Sequence, residues 1–281
     1  MKTLTGKLII YDSNCKVCSA LRDFVLKFTT IPDEKVKAYN TLDEDLTSHI
    51  DAEKFKNVMA LIDIEGGNTI YGAEGVAYIF SSQYKVIDFL FRFKPMLRLF
   101  SFFYNTQAYN RYIIATPKSK FKCDCFPDRV VKYRISYIVM TLLIAILLTA
   151  LFGTSLKNYF EDVSNVEAAK QMLLMAGTGW VLQILLALFI LRDKALDYIG
   201  HLGSIMVVGL LILVPSILLY ALTDIKTPWV PAVSVMLSSG YMLYLHINRV
   251  RYLEISQGWT ISWFLLLQGT ALYWIYFFHL N

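Results

Sequence analysis

Asp12, Cys15 and Cys18 recur at intervals of three residues near the start of the chain, in Tyr11-Asp12-Ser13-Asn14-Cys15-Lys16-Val17-Cys18. Two cysteines spaced this way at a helix start lie about one turn apart, close enough to form a disulfide and reopen it. The apolar run Leu8-Ile9-Ile10 precedes them, and a helical pattern follows to Phe28. The pair therefore falls at a strand–helix junction, where the free N–H groups and the helix dipole favour a thiolate. Cys15, nearer the helix start and more exposed, is expected to be the attacking thiol with the lower pKa, and Cys18 the resolving one. Lys16 would add positive potential. Asp12 would accept or relay a proton, or cap the helix through its carboxylate. The same two thiols would also suit a metal ion, or be inert.

A second pair stands in Cys123-Asp124-Cys125. With Cys15 and Cys18 it offers four thiolates, enough for tetrahedral zinc if the fold gathers them. It would otherwise exchange electrons with the first pair, or have no partner. The first 130 residues hold enough apolar strand and helix to form a core unaided, so no metal is expected to be needed for folding.

The elements that must position these thiols are legible in the pattern. Lys7 to Tyr11 reads as a strand, Cys18 to Phe28 as a helix and Val36 to Tyr39 as a second strand. Leu42 to Lys56 is charged with weak helical periodicity. Val58 to Ile62 is a buried-strand candidate, Gly66-Gly67-Asn68 a hairpin turn before Thr69-Ile70-Tyr71, and Gly72 to Ser82 a helix. That order predicts an α/β thioredoxin-like domain over residues 1–130. Val86 to Ile114 is crowded with aromatics but interrupted by Asp88, Arg92, Lys94 and Arg98. It would either lie against a membrane face or complete the domain's core.

Of the 281 residues, 56% are hydrophobic, and the excess lies after Val130. Five stretches, roughly Ile135–Gly153, Gln171–Leu191, Ile199–Leu222, Trp229–Ile247 and Trp259–Leu280, are long enough to cross a bilayer as helices. Residues 131–281 are thus expected to form a five-helix all-α transmembrane bundle. No cleavable leader is apparent at the N-terminus. The short loops put ten Lys and Arg on the side of the N-terminal domain and three on the other. The positive-inside rule then places that domain in the cytoplasm, at the inner membrane, with the C-terminus outside. The spans carry no charge as drawn, so an ion pump is disfavoured. His201, His246 and His279 lie near span ends and are expected to be interfacial rather than haem ligands. Gly177-Thr178-Gly179 and Gly200 with Gly203 would allow close helix packing or the approach of a substrate, and Pro215 would kink the third span.

Asp12-x-x-Cys15-x-x-Cys18 resembles the signature of the DCC family, thiol–disulfide oxidoreductases named for those three residues. Tyr71-Gly72-Ala73-Glu74-Gly75-Val76-Ala77 resembles the family's Gly- and Ala-containing helix start. Tyr109-Asn110-Arg111-Tyr112, with a cysteine following, resembles its C-terminal Asn-Arg element. The resemblance covers roughly residues 5–127 and implies a thioredoxin-like fold and dithiol chemistry. Ser13 stands where the family often has Gly. The proline that thioredoxins and glutaredoxins keep opposite the dithiol has no counterpart before Asn57-Val58. Asn110 and Arg111 would lock the C-terminal segment onto the domain or bind an anion.

Two functions fit. The first is a membrane-anchored cytoplasmic thiol–disulfide oxidoreductase. The second is an accessory subunit of a larger membrane complex, its thioredoxin-like domain a non-catalytic or metal-binding cap. The expected partners are membrane lipid, a thiol or disulfide protein substrate and, in the second case, other subunits, with no nucleic acid. No cofactor is expected, zinc being the alternative.

Overall fold

The computed structural model describes residues 4–64, 66–117, 126–157, 163–223 and 227–279, the last residue by its backbone alone. The chain divides into two compact units, Met1–Tyr137 and Ile138–Asn281.

The N-terminal unit is built on a four-stranded mixed sheet of order β2-β1-β3-β4. Strand β1 (Lys7–Tyr11) leads into helix α1 (Lys16–Phe28), which returns the chain to β2 (Val36–Ala38), parallel to β1. Strand β3 (Ala60–Asp63) runs antiparallel to β1 with Ile9 opposite Leu61, and β4 (Thr69–Tyr71) forms a hairpin with β3. This is a thioredoxin-like α/β arrangement, as the pattern predicted. Its two cores follow from side-chain alternation along β1. Leu8 and Ile10 join Ile50, Phe55, Ala60 and Ile62 on one face of the sheet. Ile9 joins Val25, Ile31, Val36, Leu61 and Ile79 on the other.

The weakly periodic stretch after Leu42 becomes two short helices, α2 (Glu44–Ser48) and α3 (Ala52–Phe55). An acidic N-cap opens each: the carboxylate of Asp43 accepts the N–H of Leu46, and that of Asp51 the N–H of Lys54. The second strand stops short of Tyr39 because that ring leaves the sheet to stack on Phe55, at 4.6 Å between centroids. Strand β3 begins at Ala60 rather than Val58. Met59 lies just before it, its N–H donating to the Tyr104 hydroxyl at 3.3 Å and its carbonyl accepting the Gly72 N–H at 2.8 Å.

Gly72 opens α4 (Gly72–Gln83) at φ +62°. A Cβ added there would sit 3.3 Å from both Val58 and the Tyr104 ring. Left-handed backbone costs an L-residue about 1–2 kcal/mol. Gly72→Ala is therefore expected to speed amide exchange in β3 by about tenfold where that exchange follows global opening of the unit. Unchanged exchange in the full-length protein would remove the conformational role given to this glycine.

The aromatic region folds as α5 (Lys85–Arg92), α6 (Lys94–Ala108) and α7 (Arg111–Ile114). Its rings divide between both expected roles. Phe91, Phe100 and Tyr104 turn inward, while Phe89 and Phe93 stay 76% and 63% exposed.

The C-terminal part contains five long apolar helices: α8 (Val131–Ser155), α9 (Asn165–Ile190), α10 (Ala195–Leu222), α11 (Trp229–Tyr252) and α12 (Gly258–His279). Each is long and apolar enough to cross a bilayer, which marks the chain as a membrane protein. The first turns of α8 belong to the N-terminal unit, which extends past residue 130 to Tyr137. Asn110 holds them there. Its amide donates to the Tyr133 carbonyl at 2.9 Å, and its oxygen accepts from Arg134 at 2.5 Å.

Small residues set the helix contacts in the bundle. Gly179 of α9 lies against the backbone of α12, where an added Cβ would come within 2.9 Å of the Leu266 carbonyl. Nearby, the Trp274 indole donates to the Thr178 hydroxyl at 2.9 Å. Pro215 lies inside α10.

The interior is more polar than the span composition predicts. Gln183 donates to the Tyr198 hydroxyl at 2.7 Å, and that hydroxyl lies 3.0 Å from His246 Nε2. His246 Nδ1 lies 3.1 Å from the Thr260 hydroxyl, which itself lies 3.2 Å from Gln257 Oε1. All four groups are satisfied when Tyr198 donates to Nε2 and the Nδ1–H of His246 donates to Thr260. Arg249 donates to His201 Nδ1 at 2.6 Å. His201 and His246 are thus buried among the helices. Both ring nitrogens of His246 lie within hydrogen-bond distance of a hydroxyl.

Candidate active site

The dithiol sits where the sheet hands the chain to its first helix. Cys15 is the N-cap of α1, with φ −87° and ψ 116°, and its sulfur accepts the Cys18 N–H at 3.1 Å. A sulfur here takes the place usually held by a serine or aspartate oxygen. Both cysteines are free thiols.

Their ionisation is split. The Cys15 thiol is held below its ordinary pKa, first by a hydrogen bond from the Cys18 side chain, then by the Cys18 N–H and the Arg111 charge, with burial opposing. The Cys18 thiol is pushed well above its ordinary value by donating that bond, by burial and by the charge of Cys15. Cys18 thus holds its proton the more strongly, and Cys15 is the sulfur of the pair that ionises first.

Exposure runs opposite to expectation. Cys15 is buried, whereas Cys18 is partly exposed. The capping geometry explains this, since it turns the Cys15 sulfur inward over the helix end and leaves Cys18 to face a cavity.

Asp12 is buried beside the pair. Its carboxylate accepts the Asn14 N–H at 2.9 Å and the Tyr112 hydroxyl at 3.0 Å, and lies 4.0 Å from Arg111. It shapes the turn before the helix, while the cap itself is Cys15. The sulfurs of Cys15 and Cys18 and a carboxylate oxygen of Asp12 lie within 4.8 Å of one another, so these three could hold a metal ion. Cys123 and Cys125 lie outside the described residues.

Lys16 points to solvent. The cation that reaches the thiols is Arg111, from α7. Its guanidinium donates to the Asn57 carbonyl at 2.8 Å and the Lys56 carbonyl at 2.5 Å. It therefore ties α7 to the segment before β3 while its charge acts on both sulfurs. The Asn-Arg element is visible in the sequence, but nothing in the local pattern places it beside Cys15.

Above the pair lies a cavity of about 600 Å³. Cys18, Asp12 and Arg111 reach it, and most of the wall is apolar, from Val17, Leu21 and Val76 to Ile87, Phe91 and Phe100.

Residues 9–116, which include Asp12, Cys15 and Cys18, match the model of the DCC1-like thiol-disulfide oxidoreductase family. No curated protein and no solved structure matches the chain.

Proposed function

We propose that this DCC-type domain, carried on a membrane-spanning bundle, is a thiol–disulfide oxidoreductase that cycles Cys15 and Cys18 between dithiol and disulfide. The observation that carries the reading is the hydrogen-bonded pair at the start of α1, with Cys15 Sγ 3.1 Å from the Cys18 N–H and Arg111 nearby. A stabilised thiolate is the reactive form in exchange and also the better leaving group. When the pair is oxidised by a disulfide, the two protein sulfurs bond to each other and the substrate leaves as two thiols, with two electrons passed. The reverse step reduces the pair. Asp12 and Tyr112 hold the turn that keeps the sulfurs in register.

Titration of the full-length protein against dithiothreitol buffers tests this. Mass analysis after acid quenching should find one disulfide joining Cys15 to Cys18. Two separate thiols at every buffer potential would defeat the reading.

The ten-to-three distribution of basic loop residues supports a cytoplasmic N-terminal domain. A reporter fused after Asn281 is expected to score as external. A cytoplasmic score would reverse the orientation or change the number of spans.

A second reading, a metal-binding cap, rests on the clustering of Asp12, Cys15 and Cys18. Metal analysis of protein purified without chelators separates the two. The dithiol reading expects no stoichiometric metal, and one zinc per chain lost in Cys18→Ser would favour the cap.

A further inference from the structure

We propose that the disulfide form of the pair is reduced by a small lipophilic thiol, which enters the apolar cavity and bonds to Cys18. This rests on the dithiol reading above and names its substrate class.

The size of the cavity, about 600 Å³, is that of a site for a small organic ligand. Asp12, Asn57 and Arg111, the polar side chains of its wall that lie nearest the dithiol or before β3, are already engaged within the protein. Asp12 accepts from Asn14 and Tyr112, and Arg111 donates to the carbonyls of Lys56 and Asn57. Asn57 exchanges two hydrogen bonds of 2.7 Å with Asp128. A tripeptide thiol such as glutathione would have to bury two carboxylates and an ammonium against this wall, which is costly without partners.

A peptide substrate fares no better. The backbone just before β3, opposite the dithiol, would have to pair with it. The Met59 N–H is taken by Tyr104 and the Met59 carbonyl by Gly72. The mouth is also apolar: Phe24, Leu90 and Phe103 line the cavity and are still 49%, 42% and 48% exposed.

Cys18 is the sulfur that faces this space, while Cys15 is buried. In the oxidised protein the ligand thiolate attacks Cys18 Sγ. The Cys15–Cys18 bond breaks, and Cys15 leaves as a thiolate stabilised by the Cys18 N–H and Arg111. A second ligand thiolate then attacks the ligand sulfur of the mixed disulfide. Cys18 is released and takes up a proton, and the ligand departs as its own disulfide. Two thiols are oxidised and one protein disulfide is reduced, so the electrons balance.

The test is single-turnover reduction of oxidised full-length protein in nanodiscs by n-octanethiol, 2-mercaptoethanesulfonate or a cysteine-containing unfolded peptide. Octanethiol is expected to react at least tenfold faster than either polar thiol. Quenching with N-ethylmaleimide should place the octyl group on Cys18. Ile87→Trp, which fills the cavity, should bring the ratio of the octanethiol rate to the mercaptoethanesulfonate rate close to one. Both proteins see the same lipid, so partitioning cancels in this comparison. Leu90→Glu, a half-exposed change at the mouth, should act in the same direction if Ile87→Trp fails to fold. Equal rates for octanethiol and mercaptoethanesulfonate, octyl on Cys15, or a peptide as fast as octanethiol would overturn the proposal. Failure of the pair to close in the dithiothreitol titration would instead defeat the underlying dithiol reading, before any of these thiols is added.

Discussion

Replacing Arg111 by alanine is expected to destabilise the N-terminal unit by about 3 kcal/mol, since two buried carbonyls lose a charged donor at about 1–3 kcal/mol each. The carbonyls belong to Lys56 and Asn57, on the segment that leads into β3. Asp12 would also lose the cation that lies 4.0 Å from its carboxylate. The same change should raise the pKa of Cys15, because the Arg111 charge is one of the causes that hold it down. Lysine offers no planar fork to two carbonyls, so Arg111→Lys should recover part of the pKa effect and little of the stability. All five tryptophans lie in the membrane part, so indole fluorescence would not report on this unit. Amide exchange in β1 and β3 is the suitable measure, with the pH profile of alkylation for the thiol. Exchange within twofold of the parent would show that the guanidinium holds nothing together.

The second large effect belongs to the cysteines. Cys15→Ser is expected to abolish disulfide formation and to lower the pKa of Cys18. The sign follows from the causes: Cys18 is raised first by its hydrogen bond to Cys15 and further by the Cys15 charge, and both act through the lost thiolate. Burial still raises it, so the return is partial. In Cys18→Ala the chief cause that lowers Cys15 is gone, and its pKa should rise. Cys18→Ser should shift it less, because a hydroxyl can still donate. Iodoacetamide rates against pH, read by mass on each variant, check this. In the parent protein the rate of Cys15 should rise at lower pH than that of an ordinary cysteine, and the rate of Cys18 at higher pH. Identical profiles for the two single variants would show that the sulfurs do not interact.

The sheet could be read from the sequence because its signal is local. Leu8, Ile9 and Ile10 are apolar on both sides of the strand, and the structure buries them in two separate cores. The hairpin turn at Gly66-Gly67-Asn68 and the helix from Gly72 were equally local, whereas the left-handed backbone of Gly72 was not read. The strand–helix junction was legible but its cap was not: the sequence offers Asp12, the Cys15 sulfur takes the place, and the consequence for exposure depends on which way that sulfur turns. The cavity was out of reach for a different reason. Its far wall comes from α5 and α6, where neighbouring residues such as Phe89 and Phe91 face opposite ways. In the bundle, Gln183, Tyr198, His246 and Thr260 come from four helices. Each alone is an unremarkable polar residue in an apolar span, and only packing makes them a chain of hydrogen bonds.

That chain bears on how the protein is made. Helices enter a membrane in the order of synthesis, and α12 is the last. Until it arrives, His246 Nδ1 lacks the Thr260 hydroxyl, and the Gln183 side-chain oxygen lacks the Ser262 hydroxyl that approaches it at 3.3 Å. The indole of Trp263, which stacks on the His246 ring at 4.6 Å between centroids, comes with the same helix. A nascent chain that stops after α11 therefore holds polar groups in hydrocarbon with no protein partner, the state that membrane quality control removes. Completion of the bundle is coupled to its final segment, and premature termination in the last stretch of the message should yield a short-lived product rather than a four-helix protein.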